Sequence, residues 1–149
     1  MLASVRTRLA LAAGICVLLL AAGCGSSSPS APSVPTTPSV NVPFSQTDLV
    51  VGTGAEATAT STITVRYTGW VYDSSKPENK GAQFDTNTAG VTFALPGLIQ
   101  GWIRGVPGMR VGGRRRLVIP PSLGYGNQQV GSIPPNSTLV FDIELVAVQ

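Results

Sequence analysis

The sequence predicts an α+β domain, an antiparallel β-sheet with one short amphipathic helix beside it. Two patterns predict it. Several segments alternate apolar and polar residues with period two, the mark of half-buried strands. Only one segment, Leu98, Ile99, Trp102, Ile103 and Val106, places its apolar residues at helical spacing. A third observation bounds the class: 17 Gly and 12 Pro in 149 residues exclude a coiled coil, because both residues break helices. With 11% charged residues, the chain is also far from a highly charged disordered one.

The elements follow in chain order. Residues 1–24 read as an address. Arg6 and Arg8 give a positive start, and Leu9 to Ala22 is an apolar run of 14 residues. At about 1.5 Å per residue that run is too short to span a ~30 Å hydrocarbon core, but it suits the middle of a secretory signal. It ends in Leu20-Ala21-Ala22-Gly23-Cys24, which resembles the lipobox of bacterial lipoproteins. That resemblance implies that residues 1–23 are a signal peptide and that Cys24 takes lipid. The protein is then exported and lipid-anchored in the bacterial cell envelope, facing the periplasm or the cell surface. The alternative is an ordinary secretory signal with a coincidental cysteine. Cys16 leaves with the signal, so the mature chain keeps no free thiol. Removing Arg6 and Arg8 leaves eight basic against seven acidic residues, so the precursor's net charge of +3 does not point to nucleic acid.

Residues 24–43 carry Cys24 and then GSSSPSAPSVPTTPSVNVP, with no charge and no aromatic. Such a segment buries too little surface to offset its ordering entropy. Pro29, Pro32, Pro35 and Pro38 fall at every third position and favour extended polyproline II. The reading is a disordered tether; a ligand for a Pro-binding module or a glycosylated stalk are the alternatives.

The domain is residues 44–149, long enough for one hydrophobic core without disulfides. Ile63, Val65 and Tyr67 alternate along the first strand, and Val91, Phe93 and Leu95 along a second. The stretch 111–119, VGGRRRLVI, reads as a third. Leu139, Phe141, Ile143 and Leu145 alternate along a fourth, with Asp142 and Glu144 on its opposite, solvated face. Gly52-Thr53-Gly54, Pro107-Gly108 and Pro134-Pro135 mark turns.

Most catalytic chemistries are missing. There is no His, and the mature chain has no thiol, so histidine triads, cysteine nucleophiles and histidine metal sites fall away. No glycine-rich phosphate loop is present. The reading therefore includes no metal and no cofactor. Arg114-Arg115-Arg116 is the one charge run; two of the three alternate outward and read as a solvated edge or sheet face, with an anionic-lipid or nucleic-acid patch as the alternative. What remains is aromatic surface interleaved with glycine: Tyr67, Trp70, Phe84, Phe93, Trp102, Tyr125 and Phe141. These rings fit a plain core, and in Gly/Pro-rich turns they also fit a concave lining.

The strings Val65-Arg66-Tyr67-Thr68-Gly69, Phe84-Asp85, Leu98-Ile99-Gln100-Gly101-Trp102, Val111-Gly112-Gly113, Leu117-Val118-Ile119-Pro120, Gly124-Tyr125-Gly126 and Ile133-Pro134-Pro135 through Leu145 resemble, in order and spacing, FKBP-type peptidyl-prolyl cis–trans isomerases. The resemblance covers 44–149. It implies a twisted antiparallel sheet wrapped around one short helix, FKBP-like, and an isomerase acting on Pro-containing polypeptides without covalent chemistry. It implies Trp102 as the floor of the pocket and Tyr67, Phe84, Phe141 and Ile99 as its walls. Asp85 would be its carboxylate and Tyr125 a hydroxyl donor. Leu98 and the Ile99 N–H would meet the substrate backbone, and Val91, Phe93 and Ile133 would complete the substrate-binding set, Ile133 at a loop rim. Asp85 also fits a simple turn anchor. Residues 72–83 look longer than the family's compact pattern and suggest a flap. The resemblance further implies binding of rapamycin-type macrolides, and no helical arm for dimerisation is visible, which favours a monomer. A non-catalytic Pro-peptide-binding chaperone or assembly module is the second reading, and a β-sandwich adhesion lipoprotein the third.

Overall fold

The computed structural model describes residues 42–149. The signal segment 1–23, Cys24 and the spacer up to residue 41 lie outside the described residues. Five strands form one antiparallel sheet: β1 (Ser45–Val50), β2 (Thr62–Tyr72), β3 (Lys80–Ala94), β4 (Arg114–Ile119) and β5 (Leu139–Val148). Their order across the sheet is β1-β4-β5-β2-β3. One helix, α1 (Gln100–Gly105), lies against β4. The predicted α+β class, an antiparallel sheet with one short helix, is the observed one.

β5 runs down the centre between β4 and β2, and its alternation is the clearest in the chain. Leu139, Phe141, Ile143 and Leu145 point inward and are buried. They meet Ile63 and Val65 of β2, Leu117 and Ile119 of β4, and Trp102 and Val106 from the helix segment. Each large apolar side chain removed from water contributes roughly 1.5–3 kcal/mol, which is what holds a single-layer sheet against so small a helix.

Four expectations are corrected. The predicted strand over 111–119 begins only at Arg114, because Val111–Gly113 is a turn: Gly112 has φ 86° and the Gly113 N–H donates to the Arg110 carbonyl at 2.8 Å. The helical spacing over 98–106 yields a shorter helix, because Leu98 and Ile99 are extended and Ile99 caps it at φ −62°, ψ 151°. The strand expected through Leu95 ends at Ala94, because Leu95 opens a tight turn with Pro96 and Gly97. No expectation covered β1, which gives no apolar alternation, since four of its six residues, Ser45 to Asp48, are polar. It is an edge strand held by backbone pairing to β4, with Ser45 opposite Val118 and Asp48 opposite Arg115.

The fourth correction concerns the charges and the expected flap at 72–83. Asp142 is not on a solvated face: its side chain is 15% exposed. Arg116 of β4 grips it through Nε and Nη2 at 2.7 and 3.1 Å, and Lys80 Nζ donates to it at 2.7 Å. Both cations also reach Glu78, Lys80 at 2.7 Å and Arg116 at 3.1 Å. Lys80 lies 4.5 Å from the centre of the Trp70 ring. The segment thus folds as an Asp73–Ser75 turn and a tight turn over Pro77–Asn79, then enters β3 at a four-charge cluster. Of the arginine run only Arg114 is exposed; Arg115 is buried and faces inward.

Burial pushes the Asp142 carboxyl up, and the bonds from Arg116 and Lys80 outweigh it, so the group sits below its ordinary value. A carboxyl lowered in the folded state stabilises fully above its unfolded value, about 4, and loses that contribution as pH falls through the folded one. Asp142→Asn is expected to flatten the acid limb of the stability curve, followed by urea unfolding across acidic pH. An acid limb identical to the parent's would show that this cluster does not set it.

Candidate functional site

Against the inner face of the sheet lies a cavity of about 260 Å³, lined by Tyr67, Phe84, Asp85, Phe93, Leu98, Ile99, Trp102, Tyr125 and Phe141. Trp102 sits at its base, 4% exposed. Tyr67 meets the indole edge-on at 5.5 Å and 88°, Phe141 at 5.4 Å and 84°, and Phe93 at 6.2 Å and 85°. Phe84 closes the row against Phe141 at 5.4 Å and 84°. Perpendicular ring contacts suit the aromatic quadrupole and leave the indole as a floor with upright walls.

The sheet explains why these rings meet. Gly69 of β2 stands between Phe141 of β5 and Asp85 of β3. A Cβ at Gly69 would lie 2.6 Å from the Phe84 ring and 2.8 Å from the Phe141 ring, so the two walls touch only because position 69 has no side chain. Between Gly69/Asp85 and Trp70/Gln83 the register slips by one residue, which places Phe84 in a bulge. Neighbours in a regular strand face opposite ways. The bulge lets Phe84 and Asp85, adjacent in sequence, both face the cavity. Neither Gly69 nor the bulge was assigned a role from sequence. A glycine in the middle of an alternating strand was the available signal for the first; nothing marked the second.

The polar groups divide their work. The Tyr67 hydroxyl donates to the Asp85 carboxylate at 2.5 Å. Burial, and then the Asp85 bond and charge, push the Tyr67 hydroxyl up to about 12, so it stays a donor at neutral pH. Asp85 is thus fixed by a side chain across the sheet, beyond the local turn bonds its sequence also suited. The Tyr125 hydroxyl is pushed up by burial and then by the Asp85 charge, with no bond between the two. It is therefore free of Asp85 and can donate into the cavity. The Ile99 carbonyl accepts the N–H groups of Trp102 and Ile103. Among the described residues the Ile99 N–H donates to no backbone carbonyl, which leaves it open beside the pocket.

Of the eleven pocket residues named from sequence, the structure gathers nine. Val91 and Ile133 are not part of the lining. Ile133 is 5% exposed and packs in the core instead of standing at a rim, because its N–H donates back to Val130 and turns the side chain inward. Val91 is half-buried against the core from β3.

Comparison with known proteins agrees with this geometry. The family model for FKBP-type peptidyl-prolyl cis-trans isomerase matches residues 54–146. An FK506-binding protein of Neisseria meningitidis serogroup A is 40% identical over 102 residues, covering 68% of this chain and 92% of that one. FK506-binding protein 3 of Candida albicans is 42% identical over 106 residues, 68% of this chain but 23% of the relative. Among solved structures, FkpA from Escherichia coli superposes with TM-score 0.63 at 38% identity, covering 71% of this chain and 48% of that one. A peptidyl-prolyl cis-trans isomerase from Pseudomonas syringae superposes with TM-score 0.62 at 37% identity, covering 71% and 75%. The chain thus spans about a quarter of the Candida relative and about half of FkpA.

The close approach at Gly69 is testable. Gly69→Ala forces two packed rings apart, and overpacking of this kind costs about 1–3 kcal/mol. The expected outcome is a loss of that size in urea unfolding, with a shift in Trp102 emission as Phe141 moves. Parent-like stability and emission would mean that the walls have room to spare.

Proposed function

The chain belongs to the FKBP-type peptidyl-prolyl cis–trans isomerase family, and from that membership and the pocket we propose that it accelerates rotation about X–Pro bonds in exported polypeptides. The observation that carries the mechanism is the ring cup: a buried indole floor with perpendicular aromatic walls, and a free hydroxyl and a free N–H beside it.

An X–Pro bond rotates over a barrier of about 18–20 kcal/mol, because resonance gives its C–N bond double-bond character. No bond breaks, so no nucleophile, proton carrier or metal is needed. The planar imide separates charge, and water stabilises that separation. A dry aromatic cup stabilises it less and so favours the twisted form over the planar one. Each 1.36 kcal/mol of that difference is about tenfold in rate. Trp102 and Phe141 exclude water from the proline ring, while the Tyr125 hydroxyl and the Ile99 N–H hold the flanking carbonyls. Asp85, fixed by Tyr67, borders the site. The relatives named FK506-binding protein support a macrolide ligand of the FK506 kind in the same pocket, and the family resemblance implies rapamycin-type macrolides there as well. Residues 1–24 support export and a lipid anchor on Cys24, with the domain acting as a monomer on Pro-containing clients at the envelope.

The test is cis-to-trans relaxation of an X–Pro tetrapeptide with the full chain, with and without rapamycin. Acceleration that rapamycin abolishes is expected. Tyr125→Phe with Trp102→Leu is expected to lower kcat/KM by about tenfold or more. A folded double variant with the parent's rate overturns the mechanism, and a folded parent that binds Pro-peptides without turnover moves the reading to a binding module. The anchor has its own check. Metabolic labelling with palmitate should mark the parent and not Cys24→Ser, and label on both would overturn lipidation at this position.

A further inference from the structure

The inward residues of β4 are Arg115, Leu117 and Ile119, and all three meet α1. Leu117 and Ile119 occupy the space where a Cβ on Gly105 or Gly101 would sit, each within 2.5 Å of that point. The helix therefore lies flush on the strand. Its contact surface there is two glycines, which is close but offers no polar group to orient the helix end. A helix of six residues has little stability of its own and leaves its last carbonyls without internal partners.

Arg115 supplies the missing constraint. Its Nη1 donates to the Gly105 carbonyl at 2.8 Å and to the Pro107 carbonyl at 3.2 Å. Its Nε and Nη2 donate to both carboxylate oxygens of Asp48 on β1, at 2.6 and 3.1 Å. The guanidinium is planar and bonded on two sides, so its direction is set. Arg115 is 7% exposed. Stability alone is a poor reason to bury an arginine, since a well-packed apolar side chain of similar volume often does as well or better. What the fork adds is orientation of the helix end. One turn before that end stands Trp102, whose carbonyl accepts the Val106 N–H at 2.9 Å.

We infer that Arg115 is a positioning residue for the Trp102 floor, holding the end of α1 through the Gly105 and Pro107 carbonyls while Asp48 of the edge strand fixes its fork. The inference deepens the isomerase reading and rests on it for its kinetic consequence. Misplacement of a binding group by about 1 Å can cost on the order of a hundredfold in rate, and here the shift is partial.

The experiment compares Arg115→Met, Arg115→Lys and Asp48→Asn with the parent in the full chain, each kept well below its own unfolding temperature. Chains labelled with 5-fluorotryptophan give one 19F line each for Trp70 and Trp102, assigned with Trp70→Phe. In Arg115→Met the Trp102 line is expected to move while the Trp70 line stays, and kcat/KM for the X–Pro tetrapeptide to fall about tenfold. Arg115→Lys, which keeps the charge without the fork, should fall between Met and parent, and Asp48→Asn should show a smaller shift of the same line. A merely structural role lowers the unfolding temperature and leaves both readouts unchanged in the folded protein; that result overturns the inference. Should Arg115→Met fail to fold, Arg115→Lys and Asp48→Asn decide it: an unmoved Trp102 line with kcat/KM within about twofold of the parent overturns it. If the parent itself shows no turnover, the isomerase reading fails separately, and the Trp102 line still tests the role of Arg115.

Discussion

The rest of the structure depends on how closely α1 lies on β4. Gly101 and Gly105 bring the helix backbone onto Ile119 and Leu117, nearer than any helix with side chains at those points could come. That approach sets the depth of Trp102, and the depth of Trp102 decides which rings it can touch. With the indole seated at this level, Tyr67, Phe93 and Phe141 reach its edges from three strands. A thicker helix contact would lift the floor and fill the cavity from below. The helix is short because Pro107 and Gly108 follow it at once; Gly108 has φ 82°, a conformation open to glycine and strained for other residues.

The two faces of the sheet solve different problems. Apart from Arg115, the inner face is mainly aliphatic where it meets the core and aromatic where it opens into the cavity. The outer face of the sheet's central strands carries much of the ionic structure. Lys80, Arg116, Asp142 and Glu78 close one cluster there, Arg66 pairs with Glu144 at 3.0 Å, and Thr64–Thr92 and Thr68–Thr86 hydroxyl pairs at 2.9 Å join β2 to β3. Isolated exposed pairs such as Arg66–Glu144 contribute little. The cluster on Asp142 differs because two cations share one mostly buried carboxylate at the point where β3 begins. It fastens the start of the strand that carries Phe84 and Asp85 a few residues further on.

Much of this was legible in the sequence, and what was missed has common causes. β5 was legible because it is central and faces the core on one side only, so burial writes a period-two pattern into Leu139 to Leu145. Trp102 was legible because an indole behind a glycine in a lone helical segment has few roles open to it. β1 was not, because an edge strand draws its order from backbone pairing to β4 and needs no apolar face. The full length of β3 was hidden by its register slips against β2, which break the alternation that a reader counts. Val91 and Ile133 were placed by likeness of position, and position in a string does not say how a strand residue faces or which way a loop residue turns. Two of the three arginines were expected to alternate outward; Arg115, in phase with Leu117 and Ile119, is the inward one, and the sequence did not show that Asp48 and the Gly105 and Pro107 carbonyls receive it.

The pocket's ionisable groups now have an explanation that does not involve proton transfer. Tyr67 is held protonated by its surroundings and spends its proton on Asp85. Asp85, so engaged, leaves Tyr125 influenced by its charge but free of a bond to it. On the proposed mechanism this is the arrangement that rotation about an X–Pro bond requires. The barrier falls when the imide loses water, and any mobile charge in the cup would bring water back with it. A carboxylate fixed at the border and hydroxyls that stay neutral leave the cup polar at its edge and dry at its base. On that proposal no histidine or thiol is called for: a rotation that breaks no bond uses shape and dryness, and both would be supplied by a helix set on two glycines against the sheet.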